Sequence, residues 1–155
     1  MNQDFVDLLR ALSAAEARYL VVGAYALALH ARPRATGDLD VWIDLAPDNA
    51  PRVYRALREF GAPLEDLAVE DLTRPELVYQ LGVAPRRIDI LTSLTGLDFA
   101  VAWSSKVAGW LGEAPCFYLS REHLIRNKRA LSRPRDLADL EALGEAPDET
   151  RSPGS

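Results

Sequence analysis

Cysteine is nearly missing. Cys116 is the only one in 155 residues, so no disulfide can close within the chain, and a zinc site built on thiolates lacks its ligands. That scarcity favours a reducing compartment, and the two histidines add little to a metal count. A membrane-crossing run is also lacking: the longest apolar stretch, residues 19–29, is broken by Gly23 and falls well short of the ~20 residues a span requires. Met1-Asn2-Gln3-Asp4 has neither the basic start nor the apolar centre of a secretion signal. The expected protein is cytoplasmic, with no membrane partner. Positive charge is in the minority, 18 Lys+Arg against 23 Asp+Glu for a formal charge of -5. This argues against a protein that coats nucleic acid or anionic lipid with its whole surface, and leaves room for a local basic patch.

What remains has a globular composition, 48% hydrophobic and 26% charged, and one domain's length. A single domain over residues 1–144 is expected, followed by a polar, disordered tail over 145–155. Phe5, Leu8, Leu9, Leu12 and Ala15 recur at helical spacing within residues 4–17. Tyr19-Leu20-Val21-Val22 suits a buried strand stopping at Gly23, with a short helix from Ala24 to Ala31 after it. Pro33 ends that helix and opens a polar loop into Asp38-Leu39-Asp40-Val41-Trp42-Ile43-Asp44. There, period two puts Asp38, Asp40 and Trp42 on one strand face and Leu39, Val41 and Ile43 on the other.

Val53, Leu57 and Phe60 outline another amphipathic helix, closed by Gly61, and residues 62–76 read as loop with at most one short element. Leu77–Val83 and Arg87–Leu91 suggest an antiparallel pair. Residues 102–119 are ambiguous in period, and their glycines and Pro115 favour two strands, Lys106–Leu111 and Pro115–Leu119. Ser120 is a good N-cap for a helix over 121–131, and Pro134 suits the first turn of a last helix ending near Gly144. The fold class expected is α/β of the α+β kind, a mixed sheet flanked by helices.

Three carboxylates stand out in that order of elements. Magnesium takes hard oxygen ligands, and paired ions can neutralise both the attacking and the leaving oxygens of a phosphoryl or nucleotidyl transfer. Asp38 and Asp40 share a strand face, and Asp89, between Ile88 and Ile90, is a natural third ligand from a neighbouring strand. A strand ending at Gly23 with a helix at Ala24 lets backbone N–H groups approach a phosphate. Arg32 and Arg34 read equally as solvated loop charges or as guanidinium groups that meet phosphate. Thr36 either braces that loop or joins the same site. The basic residues between Arg121 and Arg135 read as a solvated helix face or as a patch from which Lys128 reaches a triphosphate and the arginines meet RNA or an acidic partner.

Val21-Val22-Gly23-Ala24-Tyr25-Ala26 with His30, followed by Arg34-Ala35-Thr36-Gly37-Asp38-Leu39-Asp40, resembles the pattern of the DNA polymerase beta-like nucleotidyltransferase superfamily. Arg87-Ile88-Asp89-Ile90-Leu91 is similar to its third-carboxylate strand, and the segment from Lys128 to Leu140 to the closing part of its small bacterial members, toxin or antitoxin nucleotidyltransferases among them. The resemblance implies a nucleotidyltransferase-like fold with C-terminal helices. It implies a magnesium (or manganese) complex of an NTP and transfer of NMP to an acceptor: RNA such as tRNA, a protein or a small molecule. By it, Asp38, Asp40 and Asp89 are the catalytic and metal residues, and Gly23 with Ala24 holds the triphosphate; Arg34, Thr36 and Lys128 are the further nucleotide-binding candidates read from the residues above. A cognate toxin or antitoxin is the implied partner. Ala24 departs from the Ser or Gly of many active members, which leaves only its backbone for phosphate. A catalytically silent nucleotide- or partner-binding member is the alternative.

Overall fold

The computed structural model describes residues 1–31 and 37–145. Six strands form one mixed sheet in the order β3-β4-β2-β1-β6-β5. Their ranges are β1 Tyr19–Val22, β2 Leu39–Ile43, β3 Val78–Leu81, β4 Ile88–Leu91, β5 Val107–Leu111 and β6 Ala114–Tyr118. The helices are α1 Gln3–Ala14, α2 Gly23–His30, α3 Ala50–Phe60, α4 Phe99–Ser104, α5 Arg121–Leu131 and α6 Pro134–Ala142. The α+β class and the flanked mixed sheet are as the sequence predicts. Among the described residues no helix is long and apolar enough to cross a membrane.

Local sequence accounts for most boundaries. Asn2 caps α1 by accepting from Asp4 N–H at 2.8 Å, Ser120 caps α5 through His123 N–H at 3.2 Å, and Gly61 closes α3 in the left-handed region at φ 94°. The β3–β4 and β5–β6 pairs are antiparallel as expected. One element was not foreseen in the sequence. Residues 99–104 form α4, begun by Asp98, whose carboxylate accepts from Val101 N–H at 3.2 Å; six residues are too few to establish a helical period. Trp42 shares the strand face of Asp40 and is only 2% exposed. Phe99 of α4 packs edge-on against its indole, ring centroids 5.0 Å apart, so central strand β2 is covered on both faces. On the opposite face, Tyr19 is buried under α1, where its hydroxyl meets Ser13 Oγ at 3.0 Å.

Connectivity places the carboxylates. β2 runs parallel to β4 with Asp40 beside Asp89, and antiparallel to β1 with Asp40 beside Val22. Asp40 therefore stands one strand spacing, ~4.8 Å, from Asp89 on one side and from the start of α2 on the other.

α5 and α6 close over this end of the sheet through a buried ion cluster. Lys128 Nζ lies 3.0 Å from Asp139 Oδ2 and 3.5 Å from Asp136 Oδ1, and the Asp136 side chain is fully buried. Arg133 donates from Nε to Asp136 Oδ2 at 2.6 Å and from its backbone N–H at 3.0 Å. Burial pushes the Asp136 carboxyl up, but the Arg133 bonds and Lys128 outweigh it, so the net shift is downward. A lowered carboxyl contributes stability above its unfolded value and loses it as pH falls through the folded one. Asp136→Asn should therefore cost about 2 to 4 kcal/mol in urea unfolding at pH 7, and the gap from wild type should shrink below about pH 4. An undiminished gap at pH 3 would mean that the cost is not ionic.

Glu145, assigned from sequence to the tail, is held by Arg121 at 3.4 Å and Arg129 at 3.3 Å; residues 146–155 lie outside the described residues.

Candidate functional site

Gly23 begins α2 at φ +66°, and a Cβ there would collide with Asp40 Oδ2 while lying 3.0 Å from Asp40 Cγ. The glycine is thus required by the carboxylate itself, a more specific reason than the phosphate approach expected from sequence. Asp40 occupies the side-chain space that Gly23 leaves vacant. Burial pushes its carboxyl up from 3.8 to about 6, Asp89 and Asp38 push the same way, and Arg87 and Lys128 oppose them. Among the described residues no hydrogen bond or ion pair holds Asp40.

Asp38, just before β2, and Asp89, within β4, share one guanidinium. Arg87 Nε donates to Asp89 Oδ1 at 2.7 Å and Nη2 to Asp89 Oδ2 at 3.2 Å. The same Nη2 lies 3.3 Å from Asp38 Oδ2, and the Arg87 backbone N–H donates to Asp38 Oδ1 at 2.7 Å. The Asp89 hydrogen bond, with the charges of Asp89, Asp38 and Asp40, raises the guanidinium above its already high value, against a smaller opposing effect of burial.

Asp40 opens into a cleft of about 480 Å³. It is lined by Val22, Gly23 and Ala24, by Leu91 and Leu94, and, from α5, α6 and the turn between them, by Lys128, Leu131, Arg133 and Arg135 together with Asp139. Of the residues expected from sequence, the structure thus brings together Gly23, Ala24, Asp40 and Lys128 around one cavity, with Asp89 and Asp38 beside Asp40. Lys128 faces the cleft with its ammonium in the Asp136–Asp139 cluster. Arg34 and Thr36 lie outside the described residues. Arg87 and Arg135 were not singled out from sequence. The signal for Arg87 was present, because residues 87 and 89 share a strand face. Arg135 is exposed in the first turn of α6, and among the described residues it has no acidic partner.

Three further polar or titratable residues serve the fold. His30 Nε2 lies 2.7 Å from Leu119 O and ties α2 to the end of β6. Asp44 pairs with Arg18 at 2.7 Å. Cys116 is buried, and burial pushes its thiol up to about 11.

Among the described residues, no three carboxylate, histidine or cysteine side chains are arranged to hold a metal ion as they stand. The donor chemistry nevertheless fits magnesium: three hard carboxylates meet, one without a counter-charge in contact, and a guanidinium lies across the other two. Compared with protein-family models and with curated proteins, the chain matches none.

Two outcomes follow for stability. Gly23→Ala should destabilise by about 2 to 4 kcal/mol, from left-handed strain plus the collision with Asp40; a loss under 1 kcal/mol would show that the carboxylate can leave this position without cost. Because the folded Asp40 carboxyl is raised, folding binds a proton between about pH 4 and 6, and stability falls as pH rises through that window. In EDTA, Asp40→Asn should be neutral at pH 4 and stabilising by about 1 to 3 kcal/mol above pH 7. Denaturant titrations at the two pH values check this, and destabilisation at pH 8 would contradict it.

Proposed function

We propose that the chain is a magnesium-dependent nucleotidyltransferase, moving the NMP of an NTP onto an acceptor hydroxyl with release of pyrophosphate. The observation that carries this reading is the pairing of Asp40 with Asp89 on adjacent parallel strands, beside Asp38, at the mouth of a cleft whose other rim is cationic. Asp38, Asp40 and Asp89 are the side chains that would hold the metal, which would neutralise the triphosphate and lower the barrier to attack by the acceptor oxygen. Backbone N–H groups at the start of α2 suit the triphosphate, since Ala24 brings no hydroxyl to it. Among the described residues that line the cleft, Arg135 is a cation without an acidic partner and can meet phosphate, while Lys128 contributes a charge fixed in place by Asp136 and Asp139. Leu91, Leu94 and Leu131 give a nucleobase an apolar wall. In the reaction, the acceptor oxygen attacks the α-phosphorus, its proton passes to a carboxylate or water, and the bond to the β-phosphate oxygen breaks.

A silent nucleotide- or partner-binding member of the same superfamily, such as a toxin–antitoxin component, is the second reading. It is favoured by Ala24 and by the hold of Arg87 on Asp38 and Asp89.

Incubation with magnesium, each α-labelled NTP, total RNA and cell lysate distinguishes them. Label transfer should fall by several orders of magnitude in Asp40→Asn and Asp89→Asn, and Arg135→Ala should raise KM for the NTP about tenfold with less effect on kcat. Nucleotide binding without transfer in every acceptor mixture supports the silent reading. Equal transfer by wild type and both carboxylate variants would sink the enzyme.

A further inference from the structure

Arg87 spans two of the three carboxylates with a geometry that leaves them little for any other cation. Its fork takes both oxygens of Asp89, at 2.7 and 3.2 Å, one amino group reaches Asp38 Oδ2 at 3.3 Å, and the other Asp38 oxygen is taken by the Arg87 backbone N–H at 2.7 Å. Three of the four oxygens of Asp38 and Asp89 thus accept a hydrogen bond from one residue, and the fourth lies within ion-pair distance of the same guanidinium. Only Asp40 is left to offer a hard ion an open carboxylate.

We propose that Arg87 is a resident counter-cation that holds Asp38 and Asp89 together in the protein without metal, and that a divalent ion must displace it to bind. The inference rests on the metal-dependent reading above and adds a regulation of that site. Two features of the chain make displacement feasible. The Arg87 side chain is 27% exposed, so the guanidinium has a path to solvent. It also sits at the start of β4, where its backbone stays anchored by donating to Asp38 and by accepting from Leu39 N–H at 2.9 Å, so the side chain can leave without the strand. A guanidinium is weakly hydrated, always charged and shaped to fit a carboxylate in two places. It therefore competes well with a strongly hydrated divalent ion until a ligand brings that ion in with further charge. Once displaced, Arg87 is left within a side chain's length of the anionic ligand.

The test is binding of manganese alone, followed by electron paramagnetic resonance, with thermal unfolding in EDTA as a second readout. Arg87→Gln should bind Mn2+ about 10- to 100-fold more tightly than wild type, since each charge-assisted contact it removes was competing with the ion. In EDTA at pH 8 this variant should melt below wild type, because three carboxylates then face one another without their cation, and Mn2+ should restore the loss. Arg86→Gln, the same charge change one residue away on an exposed side chain, separates contact from general field and should bind as wild type does. Arg87→Lys keeps the charge but loses the fork; it should gain affinity by a smaller factor and serves if Arg87→Gln does not fold. Unchanged or weaker binding in the Arg87 variants, or an equal gain in Arg86→Gln, overturns the role of Arg87 and leaves the metal reading standing. No binding by wild type or by any variant overturns both.

Discussion

A carboxylate set into the middle of the sheet governs the rest of the site. Asp40 lies on a central strand with Val22 as its antiparallel neighbour and Asp89 as its parallel one. It is crowded by like charge and half-removed from water. Each adjacent element shows an adaptation to it. β1 ends in a glycine because Asp40 takes the volume of its side chain. α2 starts at that residue, so its unpaired N–H groups open beside the carboxylate. β4 supplies Arg87 on the same face as Asp89, and the guanidinium offsets two charges that would otherwise add to the pressure on Asp40.

The cleft is thereby divided into two poles, which removes the apparent conflict between a net charge of -5 and the polyanionic ligand proposed above. Bulk charge describes the far field, whereas a ligand in a cleft responds to the groups within a Debye length, ~10 Å or less. On the far wall, Lys128 is not a free cation: Asp136 and Asp139 fix it, and the same cluster joins α5 to α6. One set of ion pairs thus closes the lid of the fold and sets the electrostatics of the wall. Arg135, outside the cluster and exposed, keeps its mobility and the full strength of its charge.

Period-two and helical-period patterns made most of the sheet, the longer helices and the three carboxylates legible in the sequence, because they depend on residues close together in the chain. Asp89 was readable because Ile88 and Ile90 demand burial on the opposite face. The pairing of Arg87 with Asp89 was open to the same alternation, whereas its hold on Asp38, 49 residues away, has no local signal. Arg135 differs from Lys128 only in what α6 pairs with, and no local pattern carries that. For α4, six residues are too few to establish a period, and Gly109, Gly112 and Pro115 directed the reading of the segment after it to strands. Trp42 shares the face of Asp40 by alternation, and the contact with Phe99 that covers it is made by an element the pattern did not reveal.

The strongest argument for function here does not pass through resemblance. A protein selected for stability alone has no use for an acid at position 40. The neighbouring strand positions on the core face are filled by Leu39, Val41 and Ile43, each fully buried, and an apolar or amide side chain beside a glycine could fill the same space. Instead the position holds a carboxyl pushed up to about 6, which is charged at neutral pH only at a cost to folding. Among the described residues no donor compensates it. Position 23 is confined to glycine, because any Cβ there would meet this one side chain. Asp38 and Asp89 have Arg87, but no contacting cation extends to Asp40, and the three cannot all be satisfied by one guanidinium. Destabilising features that meet at the mouth of one cleft are the physical mark of a site shaped for something other than the fold. The deficit they share is positive charge, and Arg135 on the wall of the cleft adds a site for an anion. The divalent ion and polyphosphate proposed above would answer both.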